Sequence, residues 1–232
     1  MMRKGEWDRF WRLSLLPVVK QAQRVTAEHW RICMKPLLSG YSFHGADVLE
    51  LGCGSAKNSF TIFREYACSS VTLVDYNEHA LRIARRTGPR AGVHLVQADI
   101  LAVCLRGNFD LVHSSGLVEH FYGDDRRKVI GKHVEHARPG GLVMIWVPRR
   151  SLLCTLLETF NSLLMSVSEQ PFTDKELTGL CRAVGLNVLR IRHKSLGMEV
   201  GVLAQKCEAP FAPEKGNRET DCAVSLPRKE EP

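Results

Sequence analysis

The sequence predicts an α/β fold, a largely parallel, doubly wound sheet with helices on both faces. Three observations carry this expectation. From residue 47 onward, short apolar runs suited to strands alternate with helical patterns. The first run ends at two alternating glycines, Gly52 and Gly54, which open into a helix. The composition, 44% apolar and 25% charged over 232 residues, suits one α/β domain with short additions.

Before that rhythm begins, residues 6–38 read as one or two helices. Trp7, Phe10, Trp11 and Leu15 recur at three- and four-residue steps. Pro17 breaks or restarts the helix, and Val18, Ala22, Val25, Trp30, Cys33 and Leu37 continue an apolar face. Gly40 and Gly45 then punctuate a loop. Strands are expected at 48–51, 71–74, 93–96, 109–113 and 141–147. Helices at 56–66, 77–86 and 124–137 fall between them. At 151–167, Leu152, Leu153, Leu156, Leu157, Phe160, Leu163 and Leu164 mark an inserted amphipathic helix. Thr173 to Glu176 has the capping-box pattern and starts a helix that stops at Gly185. Two last strands, 187–192 and 199–205, turn near Gly197. From Glu208 the chain is rich in proline and poor in large apolar residues, as a disordered tail is. The expected division is a helical cap at 1–44, a domain at 45–206 with a lid insertion at about 149–172, and a tail at 207–232.

Net charge is +7, and residues 208–232 hold four basic and six acidic side chains, so the body is more basic still. Such a body attracts RNA, an acidic small molecule or an anionic membrane surface. Its basic residues are scattered, however. The densest groups, Arg82, Arg85 and Arg86 and then Arg126, Arg127 and Lys128, read as solvated helix faces. The eight cysteines form no CxxC pair, which excludes a zinc ribbon and a disulfide scaffold and points to mostly reduced, buried thiols. The N-terminus lacks the apolar run of a signal peptide, and the apolar run at 142–147 is too short to span a bilayer. A cytoplasmic location is the default expectation.

The stretch Val48-Leu49-Glu50-Leu51-Gly52-Cys53-Gly54-Ser55-Ala56 carries the strongest chemical signal. Gly52 and Gly54 allow a tight bend into which a ligand fits, and the helix after it offers unpaired N–H groups. A dinucleotide fingerprint needs a third glycine for close helix–strand packing, and Lys57 stands there instead. Asp75 ends the second strand, 21 residues past Gly54, where a carboxylate can accept ribose hydroxyls of either cofactor type. Asp99 follows the third strand. Both aspartates are also candidate helix caps.

The 48–56 stretch resembles motif I of the class I S-adenosylmethionine-dependent methyltransferase superfamily. Glu50, Gly52, Gly54 and Ala56 fit it, with alanine replacing the usual last glycine. Gln97-Ala98-Asp99-Ile100, Phe109 to Phe121 and Arg138-Pro139-Gly140-Gly141 resemble further segments of that family in the right order, so the likeness covers about 45–206. It implies a seven-stranded sheet in the order 3-2-1-4-5-7-6 with the last strand antiparallel. It also implies S-adenosylmethionine as cofactor, held by Glu50, Gly52, Gly54, Asp75, Tyr76, Asp99, Ile100 and Ser115.

If the acceptor must lose a proton, His120 is the candidate base, its pKa being suited to neutral pH. The Glu119-His120 step is common across the family with many acceptors, so a structural or cofactor-orienting role stays open. Tyr122 and Glu119 are further candidates. His133 and His136 have the spacing of a metal pair but no visible partner ligands, and read as exposed helix residues. No metal is expected. Trp7, Trp11, Phe160 and Leu164 either line an apolar acceptor chamber or pack on the core. The Trp7-Asp8-x-Phe10-Trp11 opening resembles small-molecule methyltransferases. The turn after the fourth strand, Ser114-Ser115-Gly116-Leu117, is not the Asn-Pro-Pro-Tyr type used on base amines. The expected function is methyl transfer to a small molecule. The alternatives are an RNA or protein methyltransferase and a non-catalytic module of the same fold.

Overall fold

In the computed structural model of this chain, residues 30–106, 108–151, 170–194 and 197–207 are described. Trp7, Trp11, Phe160 and Leu164, most of the cap and lid, and all of the tail beyond Cys207 lie outside these residues. Seven strands make one sheet: β1 (Asp47–Leu51), β2 (Ser70–Asp75), β3 (Val93–Gln97), β4 (Phe109–Ser115), β5 (Ala137–Pro148), β6 (Leu186–His193) and β7 (Glu199–Lys206). Their order is β3-β2-β1-β4-β5-β7-β6. The pairs from β3 through β5 are parallel, and β7 runs antiparallel to both β5 and β6. Order and directions are those the resemblance implied.

Period-two alternation along the strands splits the core into two layers. Leu49, Leu51, Val112, Val143 and Ile145 face one side and pack with Val129 and Ile130 of α3 (Asp124–His136) and Leu177 and Cys181 of α4 (Asp174–Ala183). Val48, Leu111, Leu142, Met144 and Trp146 face the other. They meet Phe60 and Ile62 of α1 (Lys57–Glu65), Leu81 and Ala84 of α2 (Glu78–Thr87), and the turn from Trp30 to Leu38. With both faces covered, the inner strands have no solvated side, which is why they read as continuous apolar runs. Trp146 lies across Gly201 of β7, its partner in register. Among the described residues no helix is long and apolar enough to cross a membrane.

Three expectations need correction, whereas the cysteines are mostly buried free thiols as expected. The Arg138-Pro139-Gly140-Gly141 turn is part of β5, which begins at Ala137. It is accommodated by a register shift between Phe109 and Leu111 of β4 and a positive φ of 69° at Gly140. His133 and His136 are buried, not exposed. Each Nδ1 faces the carbonyl one turn back, Val129 and Lys132, so each Nε2 accepts, from Ser114 Oγ at 2.9 Å and from the Leu105 amide at 3.2 Å. Arg126 is likewise buried rather than part of a solvated face. Cys33, Cys53, Cys68 and Cys181 are buried free thiols, whereas Cys104 is disulfide-bonded.

Candidate functional site

Parallel strands bring their C-terminal ends to one edge, and that edge gathers most of the residues singled out by sequence. Glu50 is the next-to-last residue of β1, Asp75 ends β2, Asp99 follows β3, and Ser115 ends β4. The bend after β1 takes positive φ at Gly52 (67°), Gly54 (51°) and Ala56 (56°). Ala56 occupies the cap position of α1 in the left-handed region, and no side chain caps that helix. An alanine there is strained by about 1–2 kcal/mol relative to glycine, so the surrounding bonds enforce the bend. The Cys53 amide donates to the Val74 carbonyl at 3.0 Å, and the Gly54 amide donates to Asp75 Oδ2 at 2.8 Å.

Asp75 therefore closes the bend onto β2. Its other oxygen accepts the Asn77 amide at 2.9 Å, and its backbone carbonyl accepts the Ala98 amide at 3.2 Å. One residue thus ties the ends of β1, β2 and β3 together. Burial raises the Asp75 carboxyl above its usual range while the Asn77, Gly54 and Tyr76 amides hold it down. Tyr76 follows it, and its carbonyl accepts from Gln97. Asp99 is exposed and caps its own loop, with Oδ1 accepting the Leu101 amide at 2.8 Å. Ile100 is buried in the apolar core beside that loop. Ser115 is half-buried, and beyond it Leu117 packs on the bend: a methyl group at Gly52 would stand 2.6 Å from Leu117 Cδ1. His120 lies buried in the one-turn 3₁₀ helix Val118–His120, with Glu119 buried beside it.

Beneath the bend lies a buried polar cluster that the sequence reading missed. Ser59 of α1 hydrogen-bonds Glu50, and its Oγ stands 2.9 Å from Nε2 of His113 on β4. Nδ1 of His113 is 3.8 Å from Glu50 Oε1, too long for a hydrogen bond. Glu50 Oε2 is buried without a partner. Burial, reinforced by the charge of Asp75, pushes Glu50 up to about 8 despite its bonds with Ser59. The missed signal was His113 itself, placed mid-strand in a run whose neighbours are all buried. Among the described residues, no group of three or more His, Cys, Asp or Glu side chains could hold a metal ion.

These groups set a stability profile. Burial lowers His113 from 6.5 to about 3 and His133 to about 4, and lowers His136 as well. Below pH 6.5 the unfolded chain binds protons that these histidines refuse, so stability falls as pH drops from 6.5. Glu50 works oppositely: folded, it keeps to about pH 8 a proton that the unfolded chain releases near 4.5, so its contribution is lost as pH rises between those values. Three histidines outweigh one glutamate below 6.5. The melting temperature should therefore peak near pH 6.5 and decline towards 8, and Glu50→Gln should flatten that decline. Melting curves from pH 4.5 to 8.5 test this. An equally steep decline in the variant would remove Glu50 as its source.

Comparison with known proteins places this geometry. Residues 48–141 match the family described as a methyltransferase domain. Trans-aconitate 2-methyltransferase of Azoarcus sp. (strain BH72) is 29% identical over 104 residues, which is 45% of this chain and 40% of that protein. The chain thus matches less than half the length of that curated relative. Among solved structures, magnesium protoporphyrin IX methyltransferase of Synechocystis PCC 6803 with bound SAH superposes with a TM-score of 0.69 at 15% identity, covering 87% of this chain and 94% of that one. An S-adenosylmethionine-dependent methyltransferase of Mesorhizobium loti gives 0.65 at 18% identity, covering 77% and 97%. At these identities the structural likeness speaks for the fold.

Proposed function

We propose, from the premise that this chain carries a methyltransferase domain of the S-adenosylmethionine-dependent superfamily over residues 48–141, that it methylates a small-molecule acceptor. The observation that carries the reading is the pairing of the glycine bend with two buried carboxyls, Glu50 and Asp75, one of which keeps an oxygen without a partner. A buried, unpaired acidic oxygen is costly unless a ligand meets it. A ligand that brings a hydrogen-bond donor or a positive charge to this pocket offsets that cost, as S-adenosylmethionine would.

Glu50, Asp75 and the backbone at Gly52 and Gly54 would hold the cofactor, with Tyr76, Asp99, Ile100 and Ser115 completing the set. When bound, S-adenosylmethionine supplies a methyl group already activated by its sulfonium charge. The chain's own part is alignment and exclusion of water. His120, on the turn beyond β4, would take a proton from an acceptor hydroxyl, thiol or acidic carbon. The relative's name supports a small acceptor, since that protein acts on trans-aconitate.

Titration calorimetry with S-adenosylmethionine and its demethylated product is the first test, and absent binding to both overturns the reading. A screen of small acceptors with radiolabelled methyl donor, followed by mass spectrometry, should then yield a labelled small product. Labelled RNA, with strongly salt-dependent binding, would move the assignment to nucleic acid. Normal turnover by His120→Gln would remove it as the base.

A further inference from the structure

We propose that Arg126 is a positioning residue that fixes the turn carrying Glu119 and His120, an inference that rests on reading that turn as the acceptor side of the site. Arg126 sits in the first turn of α3 with 5% of its surface exposed. Its Nε donates to the Phe121 carbonyl at 2.8 Å. One terminal nitrogen donates to Glu176 Oε1 of α4 at 2.6 Å, and the other to the Gln170 carbonyl at 2.5 Å. The guanidinium lies 4.0 Å over the Phe172 ring. The Gln170 amide in turn donates to the Glu119 carbonyl at 3.1 Å.

The turn is therefore gripped on both sides. Phe121, just after it, is held by Arg126 directly. Glu119, within it, is held by Gln170, which Arg126 also holds. Burying a guanidinium costs several kcal/mol unless its donors are met, and here all three nitrogens are. Two of the three bonds go to main-chain carbonyls of connecting segments, not to the sheet. Loss of Arg126 should thus free the turn and leave the sheet in place. The three acceptors are met by three separate nitrogens of arginine's planar fork, a spread that a lysine ammonium, with all its donors on one atom, does not match. Glu176 has the matching role on α4: its amide is capped by Thr173 Oγ1 at 3.1 Å, but its carboxylate turns to Arg126 and to Arg150 at 3.7 Å.

The test is NMR of histidine-labelled full-length protein. The His120 ring signal is assigned by its loss in His120→Gln, and His113 on β4 and His133, bonded from α3 to Ser114 of β4, serve as references. In Arg126→Gln the His120 signal should shift and broaden while the His113 and His133 signals stay. Glu176→Gln removes the ion pair and spares the carbonyl bonds; it should lower the melting temperature and leave His120 in place. Should Arg126→Gln fail to fold, Arg126→Lys retains the charge and should displace His120 in the same way. A His120 signal unmoved in the Arg126 variants overturns the proposal, as does an equal displacement in Glu176→Gln. Cofactor binding by the wild-type chain is measured separately, so failure of the methyltransferase reading and failure of the clamp are distinct results.

Discussion

Asp75→Ala is expected to weaken S-adenosylmethionine binding by roughly ten- to hundredfold, since hydrogen bonds to a charged group contribute about 1.5–3 kcal/mol. The loss has two sources. The carboxylate is the group proposed to meet the ribose. It is also the acceptor that closes the glycine bend, through the Gly54 amide at 2.8 Å and the Asn77 amide at 2.9 Å. Without it those buried amides lack a partner, at about 1–3 kcal/mol each in stability. Asp75→Asn keeps one acceptor oxygen and loses the charge, so its affinity should fall between wild type and the alanine variant. Calorimetry and melting curves on the two variants separate the roles. An affinity equal to wild type in the folded alanine variant would sink the placement of the cofactor.

Gly201→Ala should produce the largest loss of stability, about 3 kcal/mol or more. A methyl group at that position would stand 1.8 Å from Trp146 Cε3 and 1.9 Å from Cζ3. An indole cannot yield as a flexible chain end does. Trp146 is 2% exposed, and its Nε1 is fixed to Glu199 Oε2 at 2.6 Å. Overpacking of a filled core typically costs about 1–3 kcal/mol, and this overlap is severe. For a chain this long, 3 kcal/mol corresponds to a fall of roughly 6–12 °C in melting temperature. Trp146→Leu in the Gly201→Ala background should recover part of that loss, because the two residues share one space and do not act additively. A Gly201→Ala protein melting within a degree of wild type would contradict the register of β5 on β7.

The sheet and the bend were legible because both are local signals. Strand runs, glycines and the Thr173 cap are each written within a few consecutive residues. The polar interior was not legible. Along helix α3 the sequence reading took Arg126 as part of a solvated face and His133 and His136 as exposed, yet the helix buries all three. Each polar member is satisfied by a partner far along the chain: Arg126 by Gln170 and Glu176, His133 by Ser114, His136 by Leu105. No periodicity announces such pairings. The Arg138-Pro139-Gly140-Gly141 segment misled for a different reason. Its turn chemistry is real, but pairing with β4 absorbs it as an irregularity inside a long strand. Among the site residues, Asp99 shows the limit of position alone, since its carboxylate also serves its own loop.

The place of β7 has a bearing on how the chain comes into being. Among the described strands it comes last in chain order, yet it lies between β5 and β6 rather than at a margin. Until it emerges from the ribosome, β6 has no neighbour to join and the β5 flank stays bare. The eight residues of β7 therefore close this part of the sheet by pairing along both of their edges, with β5 on one side and β6 on the other.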